Sequence, residues 1–124
     1  MPTPEQMEAA VHAYVEAFAR GDAELAAAIF ADDASVEDPI GTAPHVGKDA
    51  IRAFYTASMA TGATLHLSGP VRVATAHAAF AMQVRLHWQG SDMAIDVIDT
   101  FAFDEAGKVK EMKAYFGPGN MHGA

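Results

Sequence analysis

Residues 77–103, HAAFAMQVRLHWQGSDMAIDVIDTFAF, decide the fold because apolar side chains alternate with other residues along two long runs. A period of two is typical of strands, in which successive side chains point to opposite faces of a sheet. The Gly-Ser step at residues 90 and 91 separates the runs and predicts a turn. We therefore expect two long strands, 77–88 and 93–103.

The second of these strands carries an acid in the middle of an apolar row. The row consists of Ile95, Val97, Asp99, Phe101 and Phe103. An ionised carboxylate in an apolar wall is unfavourable, and such a group responds by raising its pKa or by finding a partner. Asp99 is therefore a candidate functional residue. Two alternatives stay open: a basic residue elsewhere pairs with Asp99, or a register shift of one makes Asp96 the misplaced acid.

Shorter strands accompany this pair. They are predicted at 63–68, 71–74 and 108–116, separated by Gly-Pro and Asp-Glu-Ala-Gly turns. Another short strand, 34–38, stops at Pro39, and its alternation places Asp38 on the apolar side. Asp38 is thus a second acid that points inward, with an ordinary turn aspartate as the alternative.

Helical patterns fill the first half of the chain. The segment TPEQ, residues 3–6, predicts an N-cap, a proline at the first helical position and a capping-box partner. The helix that follows has Tyr14 on its apolar face and ends before Gly21. Asp22 predicts the cap of a second, short helix, which we expect the two aspartates at 32–33 to end.

A third helix follows Gly47 and completes the pattern. Its apolar stripe consists of Ile51, Phe54, Tyr55 and Met59. Helices first and strands afterwards predict an α+β fold, with a mostly antiparallel sheet and the helices packed on one face. A length of 124 residues without a repeat or linker predicts one domain over residues 1–124.

Composition excludes several function classes. A net charge of -8 disfavours nucleic acid and anionic membranes as partners, because both need a basic surface. The chain has no cysteine, and acids interrupt its first twenty residues, so we expect no disulfide, no membrane span and a cytoplasmic location. The histidines show no metal-ligand spacing, which predicts that the protein has no metal site. They are His12, His45, His66, His77, His87 and His122.

Asp38, Tyr14 and Asp99 together suggest a chemistry that none of them indicates alone. A phenol on a helical apolar stripe is in most proteins a core residue, although its hydroxyl still needs a partner. Two carboxyls and a phenol that all point inward suit proton abstraction next to a carbonyl. One ionised acid takes the proton, and neutral donors stabilise the developing enolate oxygen. This chemistry needs no cofactor.

Three runs of sequence resemble a known family. They are ADDASVEDPIG at 31–41, GKDAIRAFY at 47–55 and DVIDTFAFDEAGKV at 96–109. With them the chain resembles the bacterial ketosteroid isomerases, members of the cone-shaped superfamily that includes nuclear transport factor 2. The resemblance implies three N-terminal helices packed on a curved, mostly antiparallel sheet that encloses an apolar pocket. It also implies isomerisation of 3-oxo-Δ5-steroids to 3-oxo-Δ4-steroids.

The resemblance implies roles for individual residues. Asp38 in VEDP would be the base, and Tyr14 in HAYVEAF and Asp99 in DVID would form the oxyanion hole. Ketosteroid isomerases are themselves the known example of a carboxylic acid kept neutral at pH 7, and that state is carried over to Asp99 from the family. Tyr55 in AFY would support Tyr14 through a hydrogen bond. Phe54, Met112 and Phe116 would contact the substrate.

The resemblance also has implications for the hydrogen-bond network of the site and for the oligomeric state. Some members carry a tyrosine at the position of Phe30 and a tryptophan at that of Phe116, so we expect a shorter hydrogen-bond network here. The family forms homodimers through the convex sheet face, where Trp88 would fit. Two alternatives remain: another enzyme of this fold, such as a polyketide cyclase, epoxide hydrolase or dehydratase, and a non-catalytic ligand-binding module.

Overall fold

The computed structural model describes residues 1–123 and confirms the predicted α+β fold. The helices of this part are α1 (Pro4–Arg20), α2 (Ala23–Ala28) and α3 (Lys48–Met59), with a 3-10 helix at Pro118–Asn120. The strands are β1 (Phe30–Glu37), β2 (His45–Val46), β3 (Thr64–Leu67), β4 (Arg72–Ala74), β5 (His77–Trp88), β6 (Ser91–Phe103), β7 (Val109–Tyr115) and β8 (Met121–Gly123). That one domain accounts for residues 1–124 stays a prediction.

The long hairpin of β5 and β6 is the centre of the sheet. Its antiparallel register pairs Phe80 with Asp99 and Met82 with Val97, which confirms the predicted pair of strands. The sheet runs in the order β2-β1-β7-β6-β5-β3, with β4 added beside β5 and β8 beside β6. All strand pairs are antiparallel among residues 1–123 except β1 with β7, which run parallel.

The first helix begins and ends as its sequence predicts. Thr3 Oγ1 accepts a hydrogen bond from the Gln6 amide at 3.1 Å, and Gln6 Oε1 accepts one from the Thr3 amide at 2.8 Å. This reciprocal pair satisfies two amides that a helix N-terminus leaves without partners. Gly21 ends the helix in the left-handed region with φ of 64°, where a glycine has no Cβ penalty.

The predicted end of the second helix was wrong. The helix ends at Ala28, and the chain is already in β1 at Phe30, whose backbone pairs with Val109 of β7. Asp32 and Asp33 are both exposed, and they lie where the register between the two strands shifts. Two acids in a strand bulge have the same sequence signature as two acids after a helix, so the pattern misled the prediction.

Lysines from distant parts of the chain complete the end of α2. Lys48 Nζ donates to the carbonyls of Ala27 and Phe30 at 3.0 and 2.9 Å. Lys108 Nζ donates to the carbonyl of Ala28 at 2.9 Å. The last carbonyls of a helix have no partner within it, and here ammonium groups supply the missing donors.

Two short strands were missed by the sequence analysis. In β2, Val46 pairs with Ser35 of β1, and in β8, Met121 pairs with Ile95 of β6. Both strands span only two or three residues, too few for an alternation to be visible. None of the helices in residues 1–123 is long and apolar enough to cross a membrane. The cytoplasmic location stays a prediction.

The helices cover one face of the curved sheet, and aromatic rings fill one end of the space between them. These rings pack edge to face or stacked, with centroids 5.1 to 6.3 Å apart where they touch. They belong to Tyr14, Phe18, Phe30, Tyr55, Phe80 and Phe101. The other end of the space is not filled, and it forms the cavity described below.

Candidate active site

A cavity of about 270 Å³ lies between the helices and the concave face of the sheet. Its walls are mainly apolar, as is usual for small-molecule sites, and a few polar groups interrupt them. The lining residues are Tyr14, Phe18, Asp38, Phe54, Ser58, Thr61, Ala63, Leu65, Met82, Val84, Leu86, Ile95, Val97, Asp99 and Phe116. The cavity therefore suits a small, largely apolar ligand with few polar groups.

Asp99 lies at the inner end of this cavity. Its backbone is held between Phe80 of β5 and Ala114 of β7, and its side chain is only 1% exposed. Neither carboxyl oxygen has a hydrogen-bond partner among residues 1–123. Burial, and secondarily the negative charge of Asp38, raise the pKa of Asp99 well above 3.8. The raised pKa favours the protonated form of Asp99, whose O–H would have no partner within the described part of the fold and could donate to a ligand.

This environment excludes both alternatives for the misplaced acid. No ion pair within the described residues involves Asp99, so a buried basic partner is ruled out there. Asp96 is exposed on the opposite face of β6, where its carboxylate lies 3.2 Å from His122 Nε2. The register predicted from the alternation was therefore right, and Asp99 is the acid in the apolar row.

Tyr14 reaches the cavity from the middle of α1. It is 2% exposed, and the Tyr55 hydroxyl donates to the Tyr14 hydroxyl across an O–O distance of 3.2 Å. Since Tyr55 supplies the proton in this bond, the proton of Tyr14 can point into the cavity. Burial raises the pKa of both phenols well above 10, so both are neutral at pH 7. The predicted contact between Tyr55 and Tyr14 is present.

Asp38 follows the last residue of β1 and lines the same cavity, where it is half-buried. Burial raises its pKa from 3.8 to about 6. At pH 7 the carboxylate is therefore largely ionised, yet it is a stronger base than a solvated aspartate. Its environment differs from that of Asp99, which is more deeply buried.

The structure brings the three predicted catalytic residues, Tyr14, Asp38 and Asp99, to one cavity. Such a set can remove a proton from an apolar molecule with one basic carboxylate and stabilise the resulting anion with two neutral O–H donors. The catalytic role of each residue stays a prediction. Residues 1–123 contain no group of three or more His, Cys, Asp or Glu side chains placed to hold a metal ion.

Two of the three residues predicted to contact the substrate line the cavity, and the third lies in the core. Phe54 and Phe116 line the cavity, but Met112 does not. Met112 is fully buried and pairs with Phe101, whereas Asp99 pairs with Ala114. Met112 therefore lies on the filled side of the acid, among the core aromatics, and its role as a substrate contact stays a prediction that this position does not support.

Sequence reasoning missed two polar residues of the cavity, Ser58 and Thr61. Ser58 lies four residues after Phe54, so helical spacing alone places both on one face of α3, and this signal could have identified it. Thr61 follows the helix in a turn, and no periodicity extends to it. His45 stacks on Phe54 with ring centroids 4.4 Å apart, which supports that wall from outside.

Comparisons with known proteins concern the family and the fold of the chain. The model of the SnoaL-like domain family matches residues 11–112. A steroid Delta-isomerase of Nocardioides simplex is 34% identical over 116 residues, which cover 94% of each chain. A solved structure of SalBIII, described as an epoxide hydrolase/cyclase-like enzyme in pyran ring formation in polyether salinomycin, superposes with a TM-score of 0.93. It covers 100% of both chains at 19% identity, a likeness that concerns the fold alone.

Proposed function

This chain belongs to the SnoaL-like domain family, and from that membership we propose that it is a Δ5-3-ketosteroid isomerase. One observation carries the proposal. Asp38, Tyr14 and Asp99 line the same apolar cavity, and the carboxyl oxygens of the buried Asp99 have no hydrogen-bond partner among residues 1–123. Burial raises the pKa of Asp38 to about 6 and that of Asp99 well above its usual value. Similarity to a steroid Delta-isomerase over 94% of the chain supports the choice of substrate.

The first step is proton transfer to Asp38. The carboxylate removes a proton from C4 of a 3-oxo-Δ5-steroid, and the electron pair of that C–H bond moves toward the C3 carbonyl oxygen. The product of this step is a dienolate with its negative charge on that oxygen. Tyr14 and Asp99 donate hydrogen bonds to it, and because both are already buried they need little reorganisation.

The second step returns the same proton at another carbon. Asp38, now protonated, donates to C6, and the double bond between C5 and C6 becomes one between C4 and C5. The carbonyl re-forms, and the carboxylate is regenerated. A single base therefore serves both steps, and the reaction consumes no cofactor or co-substrate.

The carboxyl group of Asp99 is available to a ligand oxygen. Since its oxygens have no partner among residues 1–123, a ligand oxygen would supply the hydrogen bond that the fold leaves unmade. Tyr55 would fix the hydroxyl of Tyr14 in the donating orientation. Phe54 and Phe116 would contact the apolar rings of the steroid.

A spectrophotometric assay with 5-androstene-3,17-dione tests the proposal. We expect the absorbance of the conjugated enone to appear at a rate proportional to protein concentration. A folded protein that produces no such absorbance would contradict it. Another enzyme of this fold or a binding module would give that negative result, and binding of the planar phenol equilenin without turnover would favour the binding module.

We include a homodimer in the proposal. On the convex face, Ile98 and Tyr115 are cross-strand partners that are 50% and 46% exposed. Trp88, 49% exposed at the end of β5, follows Leu86 on the concave face by alternation and does not add to this patch. Apolar side chains exposed this far on one face of a sheet are typical of an interface. Light scattering should give twice the mass of one chain, and Ile98→Lys should reduce it toward one.

A further inference from the structure

The cavity has a second polar end, opposite the acids. From Asp99 to Ile95 the concave face of β6 extends over four residues, about 13 Å at the usual rise of a strand. Leu65 of β3 pairs with Val84 of β5, which in turn pairs with Ile95. The chain that leads into β3 therefore passes beside this far end, and it carries Thr61.

Ser58 approaches the same end from α3. On this helix Tyr55 contacts Tyr14 at the acid end, and Ser58 comes three residues later, about 4.5 Å further along the axis. Ser58 and Thr61 are both half-buried and line the cavity. The other residues at this end, such as Leu86 and Ile95, are apolar, so these hydroxyls are its polar groups.

The hydrogen bonds of these hydroxyls decide what they can offer to a ligand. Ser58 Oγ donates to the Phe54 carbonyl at 3.0 Å, and Thr61 Oγ1 donates to the Ser58 carbonyl at 2.6 Å. A hydroxyl has one proton to donate and two lone pairs that accept. Since both protons are engaged with backbone carbonyls, the lone pairs remain for a ligand.

We propose that Ser58 and Thr61 recognise a hydroxyl group at the end of the ligand remote from the reacting carbonyl. The inference rests on the proposed function, because it takes the ligand to be a steroid held at the acid end by its 3-oxygen. The distance between the two ends is comparable with the length of a fused four-ring steroid. A hydroxyl at C17 could donate a hydrogen bond to these lone pairs. A ketone oxygen at C17 is itself an acceptor, so it would face the lone pairs with no proton to share.

Two phenolic steroids test this without relying on turnover. Estradiol and estrone share the same phenol for the Tyr14 and Asp99 end, and they differ only in carrying a hydroxyl or a ketone at C17. Titration calorimetry should give a Kd for estradiol that is about 3- to 10-fold lower than that for estrone. In Ser58→Ala/Thr61→Val the ratio of the two Kd values should fall to about 1, and each single variant should lower it in part.

Thr56→Val is the matched control. Thr56 Oγ1 also donates to a carbonyl four residues earlier on α3, at 2.8 Å from Arg52 O, but Thr56 is exposed and does not line the cavity. This variant should keep the wild-type ratio. If Ser58→Ala/Thr61→Val fails to fold, the single variants still decide, since loss of one acceptor leaves the cavity shape nearly unchanged.

Several outcomes would overturn the inference. They are equal affinities in the wild-type protein, a ratio that the single and double variants leave unchanged, and failure of both steroids to bind. Turnover of 5-androstene-3,17-dione on the same samples judges the proposed function separately. An active isomerase with a ratio of about 1 would refute only the hydroxyl recognition. An inactive protein whose ratio depends on Ser58 and Thr61 would refute only the isomerase.

Discussion

The two faces of β6 place the same side chain in opposite environments. Asp99, on the concave face, is buried without a hydrogen-bond partner in residues 1–123 and has a raised pKa. Asp96, three residues earlier on the convex face, is exposed and lies within reach of His122 and Gln83. One strand thus carries a buried aspartate without a hydrogen-bond partner in the described part of the fold and an exposed aspartate that has hydrogen-bond partners on the surface.

The difference shows that the strand face on which an aspartate lies, rather than its residue type, determines its burial and its hydrogen-bond partners. Ile95, Val97 and Asp99 line the cavity between the sheet and the helices, where an ionised carboxylate would lose its hydration. Asp96 and Ile98, on the other face of the strand, are exposed. Matched substitutions on the two faces should therefore have unequal consequences, and the following predictions compare them in order of decreasing effect.

Loss of the base on the concave side should have the largest effect. Asp38→Asn keeps the size of the side chain but removes the proton acceptor, so kcat should fall by about 10² to 10⁴ while ligand binding survives. Asp96→Asn, the control on the convex side, should leave kcat within about twofold. Steady-state assays with 5-androstene-3,17-dione measure both. Near wild-type turnover of Asp38→Asn would show that another group is the base.

Removal of one phenol from the cavity should rank next. Tyr14→Phe deletes a donor to the developing oxyanion, and kcat should fall by about 10² to 10³ with little change in KM. Tyr115→Phe removes an exposed phenol from the convex face and should change neither constant. A loss confined to KM in Tyr14→Phe would instead make Tyr14 a simple binding contact.

The pH dependence of activity should follow Asp38. Burial raises the pKa of Asp38 to about 6, and only the ionised form accepts a proton. Between pH 7 and pH 5 the log of kcat/KM should therefore decrease, with a loss of about tenfold. The same curve is expected for Asp96→Asn. A profile that is flat across this range would show that the reaction does not depend on the ionisation of Asp38.

Much of this comparison was predictable from the sequence, because local patterns determine it. The alternation in residues 93–103 identified the face of Asp99, and the helical stripe around Tyr14 identified its inward direction. The capping box at residues 3–6 fixed the start of α1. Each of these features depends on neighbours within a few residues, so no knowledge of the tertiary structure was needed.

The features that local patterns did not reveal depend on contacts between distant segments. The start of β1 at Phe30 depends on parallel pairing with β7, almost eighty residues later, and on lysines that complete the end of α2. Met112 shares the strand face of Phe116 but lies on the filled side of Asp99, a depth that alternation cannot reveal. Thr61 enters the cavity from a turn, where no periodicity exists.

The smallest expected effect concerns stability and tests the neutral state of Asp99. Burial places its folded pKa well above the unfolded value of about 3.9. Between these two values the folded state holds a proton that the unfolded state has lost, so stability falls as pH rises through this window. An asparagine side chain in its place has no such proton to lose. Asp99→Asn should therefore be as stable as the wild-type protein at pH 7, or more so, with a flatter pH dependence.

Urea unfolding at several pH values, with turnover on the same samples, measures this. Asp96→Asn, the convex-face control, should shift the free energy of unfolding by no more than about 0.5 kcal/mol and keep the wild-type slope with pH. Asp99→Asn retains an N–H donor for the oxyanion, so its activity should exceed that of Asp99→Ala, which has no donor. An ionised Asp99 held by a buried cation predicts the reverse, since removal of one partner costs about 3 to 5 kcal/mol. A loss of that size in Asp99→Asn at pH 7 would mean that the two faces of β6 hold their aspartates in the same charge state.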